Sequence, residues 1–589
     1  MLLPALALAV MPGPFQRDGN AQVAPPHTVS TVGARLDRKD STRALKTARK
    51  AQRDFEGLRR RLLPMQSGLS EGTCDVVIGR YCQWQQESYG PPPENRKVVE
   101  RREKLLAVLD SVGRLLPEDQ WVLAQKTRYL LEAEREEDAN TMATSCAARA
   151  TASVTRAWCL ALAGYTAHRR GDYSRADSAF TRALAEMPEA QRCEWQDLSI
   201  MLDGKAAGQY KKLSCAARDS AVSAFLRLVQ PLYLTGVNDF RTEFFARVTR
   251  MHIEADTPTP MSPSWGRDDE ESLMRYGGGL WWTQELPPAG SGRAPVVASH
   301  RRGPSFNFFP DPKAIVAPEE LRLEDWVYVD ALARTRYAPQ YVQYFDPLIN
   351  QQVALFRRGD SALIVAAFDV TGYGAFDNKK LQAGVFAAVL ENGGVSEPVG
   401  GAVQSAGPTT ISTMSAPWRP LVVSLEVYDR DSRAAGRARY SVKPPANGTR
   451  LGLSDIMLYT PRDSMPKRLT DALPHAMRGL RVPNSRRLGL FWEMYGVREG
   501  GEVCDFSLLV EPIGQSWARR VFSKLRIVDE KRGLSLQWRE SPLNVDGIAS
   551  RSLNVDLSML KPGRYRVRLA LTPSGDVPVV TTRDVEIPN

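Results

Sequence analysis

The stretch from Trp158 to Pro188, WCLALAGYTAHRRGDYSRADSAFTRALAEMP, constrains the chain more than any other. Leu160, Ala163, Gly164 and Ala167 follow the i, i+3, i+4, i+7 spacing of one helical face. Gly171-Asp172 breaks that helix, and Asp172 is placed to cap the next one. Ala176, Phe180, Ala183 and Leu184 line the facing stripe, and Pro188 ends it. Gly164 and Ala176 have almost no side chain, so the two helices can approach closely, with Phe180 filling the space left between them. One hairpin cannot bury its own apolar face, so neighbours are required. Pro117 to Arg135 and Gln191 to Leu202 are the candidates, which predicts a short array of two or three hairpins.

Gly164, Gly171, Tyr173, Ala176, Phe180, Ala183 and Pro188 together resemble the tetratricopeptide repeat, with Leu160 and Ala167 in place of its early Trp and later Tyr. An ordinary antiparallel helix pair with small interface residues is the plainer alternative. The resemblance implies a scaffold whose concave face holds a peptide or partner protein.

Further helices are expected over Ser41 to Leu63, Asn95 to Leu115 and Ala216 to Leu232, and from a cap at Asn238 or Asp239 onward. From Thr257 Pro and Gly become frequent, and short β-rich runs replace the helical period. One group comprises Val353 to Arg357, Ala362 to Val370, Gly384 to Leu390, Leu421 to Val427 and Ala438 to Val442. The second runs through Leu488 to Tyr495, Val503 to Val510, Lys524 to Val528 and Leu534 to Trp538, and closes on LSMLKPGRYRVRLAL. There Tyr565, Val567, Leu569 and Leu571 share a face. The fold class read from this is α+β multidomain: an N-terminal all-α helical-hairpin region followed by two antiparallel immunoglobulin-like β-sandwiches. The divisions are 1–21 signal peptide, 22–40 disordered lead-in, 41–256 helical region, 257–310 joint, 311–447 first sandwich and 448–589 second sandwich.

The apolar run Leu2 to Val10 is too short to span a bilayer and reads as the core of a secretory signal, although a basic segment ahead of it is missing. An exported protein without an integral membrane segment after signal cleavage, in the periplasm or on the surface of a bacterium, is therefore expected. Cysteine usage agrees. Cys74 and Cys82, Cys146 and Cys159, and Cys193 and Cys215 form three local pairs suited to disulfides in an oxidising compartment, with other pairings and buried thiols as alternatives. None of these pairs has metal-ligand spacing. The formal net charge of +11 is spread among Asp and Glu along the chain, so a nucleic-acid partner is not expected. The densest basic run, Arg59-Arg60-Arg61, reads as a solvated helix face.

The search for chemistry is mostly negative. No nucleophile elbow, phosphate loop, zinc-protease helix or calcium loop occurs. No cofactor, metal or catalytic residue is assigned. His168 follows Tyr165 and precedes Arg169-Arg170, where a cation suits a helix C-terminus. Asp268, Asp269, Glu270 and Glu271 are the densest acidic cluster; as the opening of a helix they complement its dipole. Glu493 is expected to face solvent or to pair with an Arg. Arg358-Gly359-Asp360 reads as a hairpin turn, and Trp281-Trp282 as a buried domain joint rather than an exposed stacking surface.

Between the halves lies SWGRDDEESLMRYGGG, with LSDIML further on. Trp265, Asp268, Arg275, Tyr276 and Gly277 match a G-W-x-T-D element followed by R-Y-G, while Ser264 and Arg267 depart from it. On these residues the chain resembles the GWxTD-domain proteins of environmental bacteria, in particular a secreted branch joining a helical-repeat half to β-sandwiches. The resemblance implies architecture and location, not a reaction. The function expected is a non-enzymatic scaffold or interaction protein of the cell envelope, binding a peptide or protein through the helical face. The alternatives are a hydrolase of peptide or glycan near Trp265 and Asp268, and a carbohydrate-binding sandwich.

Overall fold

A computed structural model describes residues 38–66, 75–78, 81–87, 90–255, 257–261, 267–286, 290, 295–330, 332–376, 381–391, 393–404, 409–446, 450–498, 502–513, 533–573 and 577–589. The signal reading, the lead-in up to residue 37, Cys74, Trp265 and the strand expected at Lys524 to Val528 lie outside the described residues, while residues 38–40, expected to be disordered, form the first turn of a helix.

The helical half is built from successive packed pairs: α1 (Arg38–Arg61) with α2 (Arg96–Leu115), α3 (Gln120–Glu132) with α4 (Glu136–Arg149), and α5 (Ser153–Arg169) with α6 (Tyr173–Glu186). The central hairpin is α5–α6. Gly171 takes a positive φ of 75°, and Asp172 caps α6 by accepting a bond from the Arg175 N–H at 3.1 Å. Gly164 lies directly under the Phe180 ring: a Cβ there would sit 2.7 Å from Phe180 Cε1. Leu160, Ala176, Phe180 and Ala183 are buried, Tyr173 opens α6, and Pro188 follows its end. The chain continues through α7 (Glu189–Trp195), α8 (Gly204–Tyr210) and α9 (Cys215–Val229). Then α10 (Asp239–Glu254) returns against α5 and α6 and reaches α3. Asn238 caps it, and twelve of its 16 residues are buried, so it is surrounded on nearly all sides. Disulfides join Cys146 to Cys159, between α4 and α5, and Cys193 to Cys215, between α7 and α9. Cys82 is also disulfide-bonded.

Helix α11 (Arg267–Tyr276) leads into a small mixed sheet. Its strands are β1 (Met65–Gln66), β2 (Val76–Ile78), β3 (Tyr81–Glu87), β4 (Trp281–Glu285) and β5 (Val296–Arg302), in the order β1-β4-β5-β3-β2. Three of the five come from within the stretch read as helical. They pair with the joint some 200 residues later, at Met65↔Gln284 and Cys82↔Ala298.

The first sandwich sets a larger sheet against a smaller one. The larger contains β6 (Tyr344–Pro347), β9 (Gln382–Glu391), β10 (Gly394–Val395), β11 (Val399–Gln404), β13 (Leu421–Asp429) and β14 (Ala434–Val442). The smaller contains β7 (Gln351–Arg358), β8 (Ser361–Asp369) and β12 (Thr409–Pro417). The second sandwich sets β15 (Gly452–Leu453), β16 (Met457–Tyr459), β17 (Arg487–Tyr495) and β20 (Ile548–Asp556) against β18 (Cys504–Pro512), β19 (Leu534–Glu540), β21 (Gly563–Pro573) and β22 (Val579–Ile587). Tyr565, Val567, Leu569 and Leu571 of β21 all face the core, as their alternation predicts.

Strand alternation explains how these layers stack. Leu421, Val423, Leu425 and Val427 of β13 point into the first sandwich, whereas Val422 points to the helical core. In the smaller sheet Val353, Leu355, Ile364 and Ala366 face the sandwich interior, while Ala354, Phe356, Val365 and Ala367 meet Met457, Tyr459 and Phe491 of the second sandwich. Both sheets are therefore covered on two faces, which is why their strands read as continuous apolar runs.

The joint between helices and first sandwich rests on two arginines of β14. Arg437 and Arg439 are wholly buried. Arg439 donates to the Leu228 and Gln230 carbonyls at 2.7 and 2.6 Å, and Arg437 to those of Gln230 and Pro231 at 2.5 and 2.8 Å. These are carbonyls at the C-terminus of α9 that lack intrahelical donors. Glu426 offsets one of the two charges, 2.8 Å from Arg439, and accepts the Leu234 N–H at 2.8 Å. The guanidiniums lie over Trp326 (4.2 Å, Arg437) and Tyr233 (3.7 Å, Arg439). Burial, reinforced by Arg439, pulls Arg437 down to about 10.

Two stability measurements check this account. Gly164→Ala should cost about 1–3 kcal/mol in urea unfolding, and adding Phe180→Leu should recover part of it; an additive pair would show that the two do not touch. Arg439→Met should cost about 3–5 kcal/mol because Glu426 is left charged and unpaired, and Arg439→Met with Glu426→Gln should cost less than the single change.

Candidate functional site

The face formed by α1, α3, α5 and α10 does not stand open along its length. The joint docks onto it. Arg247 of α10 donates to the carbonyls of Met274 and Arg275 at 2.9 and 3.0 Å and to that of Arg336 at 2.9 Å. Arg301 of β5 donates to the Gly277 carbonyl at 2.9 Å. Between the docked surfaces remains a cleft of three cavities that share walls. The first, about 470 Å³, lies among Arg59, Pro91, Pro92, Pro93, Glu132 and Trp282. The second, about 300 Å³, shares Pro91, Glu132, Trp281 and Trp282 with it and adds Leu131 and Tyr165. The third, about 160 Å³, shares Tyr165, Arg169 and Arg250 with the second and ends at His168, Arg301 and Gly277.

At the first cavity a balanced ion network ties the helices together. Arg59 bonds Glu56 at 2.6 Å and Glu132 at 2.5 Å, while Arg128 bonds Glu132 at 3.1 Å and Glu56 at 3.2 Å. The Tyr129 hydroxyl donates to Glu56 at 2.7 Å. Burial alone would raise the Glu132 carboxyl, but Arg59, Arg128 and Arg102 outweigh it and hold it at about 2. Arg59 is thus buried, contrary to the solvated face expected of the Arg59-Arg60-Arg61 run; Glu56 and Glu132 draw it inward, while Arg60 and Arg61 remain exposed. The Arg59 guanidinium also lies 5.4 Å from the Trp282 ring. Trp281 is buried and stacks on His300 at 5.7 Å, so the Trp281-Trp282 pair forms the cleft wall within the joint.

His168 is buried and does not cap its own helix. Its Nε2 lies 2.7 Å from a Glu243 oxygen and its Nδ1 3.0 Å from Thr242 Oγ1, both on α10. Burial would raise Glu243, yet Arg247, Arg301 and His168 hold it well below the usual carboxylate range. One turn earlier, Asp239 accepts from Tyr337 at 2.9 Å and from Tyr341 at 3.3 Å. Burial pushes its carboxyl up to about 7 in spite of these bonds.

The motif residues are spread around this cleft as supports. Arg275 pairs with Glu271 at 2.6 Å and donates to the Ile200 carbonyl at 2.9 Å, and the Tyr276 hydroxyl donates to the Ala333 carbonyl at 3.1 Å. Gly277 (φ 87°) lines the third cavity so tightly that a Cβ would lie 2.4 Å from Arg301 Nη1. Asp268, Asp269 and Glu270 occupy the first turn of α11. Glu493 pairs with Arg358 at 2.6 Å, and Gly359 turns the β7–β8 hairpin with φ 62°. Among the described residues no group of His, Cys, Asp or Glu could hold a metal ion, and Tyr344 is the one aromatic side chain that is largely exposed. Arg169, Arg250 and Arg301 were not singled out from sequence. The usable signal was Glu243, Arg247, Arg250 and Glu254 at helical spacing on α10.

No protein-family model matches the chain, and no curated protein does. Among solved structures it is similar to a red sea bream transglutaminase, at 8% identity and TM-score 0.14, covering 41% of this chain and 31% of that one. It is similar also to chicken CNTN1 FN1–FN3 domains (12%, TM-score 0.15, 43% and 70%) and to a DUF3823 family protein from Bacteroides ovatus (8%, TM-score 0.14, 40% and 97%). Scores this low carry no argument about fold or activity. Among the described residues no helix is long and apolar enough to cross a membrane.

The Asp239 site yields a pH test. Its carboxyl is raised in the folded state, so the stabilisation is complete below its ordinary value of 3.8 and is lost as pH rises through about 7. The unfolding free energy of the wild type from urea titrations, relative to Asp239→Asn, should fall between about pH 4 and about pH 7 by an amount on the order of a few kcal/mol. Parallel curves would show that Asp239 titrates normally.

Proposed function

We propose that the protein is a non-enzymatic interaction protein of the bacterial envelope, related to the GWxTD-domain proteins, that holds an extended peptide or protein segment in the cleft between its helical array and joint sheet. The cleft carries this reading. It comprises three neighbouring cavities that share walls, has Pro91, Leu131, Tyr165, Trp281 and Trp282 as apolar surfaces, and has charged groups placed along its length. Elongated cavities with aromatic walls and separated polar groups suit a chain segment better than a compact substrate. The tetratricopeptide-like hairpin supports the same assignment, since stacked hairpins present such faces. Two disulfides within the helical half support export into an oxidising compartment.

The acidic residues proposed from sequence for a hydrolase sit on a helix N-terminus, and Glu271 is engaged by Arg275. Neither arrangement favours catalysis over scaffolding.

An array of randomised short peptides probed with the purified protein tests the reading. The wild type should retain a subset, and Trp282→Ala should weaken that subset at least about tenfold while leaving the thermal midpoint nearly unchanged. An array with no binders, or binding untouched by Trp282→Ala, would refute the cleft as the binding site.

A further inference from the structure

The inner end of the cleft carries more guanidiniums than carboxylates. Arg169, Arg247, Arg250 and Arg301 all line the third cavity, and Glu243 is the carboxylate among its walls. Glu243 is committed to Arg247 at 2.7 Å, Arg301 at 3.4 Å and His168 at 2.7 Å, and Glu254 neutralises Arg250 at 2.7 Å from outside. Four guanidiniums therefore face two carboxylates. Arg169 is half-buried at the end of α5 and, among the described residues, makes no ion pair or hydrogen bond. Burial lowers the Arg301 guanidinium from its ordinary value, and after the opposing pull of Glu243 the neighbouring Arg247, Arg169 and Arg250 lower it further. The first cavity shows the contrast: its walls carry Arg59 and Arg102 beside Glu94, Glu103, Glu132 and Glu134, with Arg59 bonded to Glu132 and Arg102 to Glu94.

We infer that the third cavity receives an acidic side chain of the bound peptide, with Arg169 as its principal partner and Arg250 and Arg301 completing the positive wall. This rests on the cleft reading above and names the chemistry of its occupant. The volume agrees. The cavity of about 160 Å³ has room for one side chain, since a void of about 150 Å³ holds a benzene-sized group. It shares Tyr165, Arg169 and Arg250 with the second cavity, so an acidic residue there sets the rest of an extended segment beside Leu131, Trp281 and Trp282. A guanidinium suits this role because its planar fork binds a carboxylate through two bonds.

The same peptide array separates this inference from the broader one. Peptides retained by the wild type should be enriched in Asp or Glu at one position, with binding that weakens as salt is raised from about 50 mM to about 500 mM. Arg169→Gln, which breaks no internal contact, should abolish the enrichment and cost about tenfold in affinity for the acidic peptides, while peptides bearing Gln there are unaffected. Binders without acidic preference would overturn this inference and leave the cleft reading intact. A complete lack of binders would overturn both. Inorganic phosphate displacing the acidic peptides at a concentration equal to their own Kd would show that the cavity takes a free anion instead.

Discussion

The architecture depends on two arginines buried where helices meet sheet. A helix C-terminus pressed against a β-sheet carries carbonyls that neither water nor the sheet can satisfy. Arg437 and Arg439 solve this from the sheet side, donating to the Leu228, Gln230 and Pro231 carbonyls, while Glu426 on the neighbouring strand pairs with Arg439. The aromatic rings of Trp326, Tyr328, Phe308 and Phe345 surround Arg437, and that of Tyr233 covers Arg439. Because the guanidinium geometry is directional, the pair sets how α9 sits on the sheet as well as holding it there. Everything downstream inherits that placement. Among the described residues the second sandwich meets the opposite face of the first through Phe356, Tyr459 and Phe491.

Charge is handled in three ways inside this one chain. At the arginine joint it caps a helix. In the Arg59–Glu56–Arg128–Glu132 network it is balanced and joins α1 to α3. Around Arg169, Arg247, Arg250 and Arg301 it is left in excess beside a cavity. Balanced buried ions are compatible with a purely structural role, because each partner compensates the desolvation of the other. An excess beside a void leaves an opening for an anion from outside, and this physical difference is what supports the proposed acidic ligand at the inner end of the cleft.

The small joint sheet shows why position in sequence is a poor guide to what builds a site. β1 to β3 precede most of the helices, β4 and β5 follow them, and only pairing across this interval forms the wall that carries Trp281 and Trp282. Short strands of two to seven residues have no period long enough to read, and their partners supply most of their stability. The helices were legible for the opposite reason. Their period repeats over several turns, and their stop signals are local: Gly171 with its positive φ, and Asp172, Asn95 and Asn238 at the caps.

By itself the sequence determined the elements that depend on local chemistry. It specified the α5–α6 hairpin through Gly164 and Phe180, the inward face of β21 through alternation, and the placing of the helical half ahead of the two sandwiches. It also marked the cysteine pairs Cys146–Cys159 and Cys193–Cys215, which are close along the chain. Tertiary structure alone decided which charges would be buried and with whom. Nothing in the local pattern of Arg437 and Arg439 distinguishes them from surface arginines of a β-strand, nor does the run at Arg59 announce that one of three turns inward. A charged side chain is stable in the interior only where groups from distant segments converge to replace its water, and that convergence is a property of the whole fold.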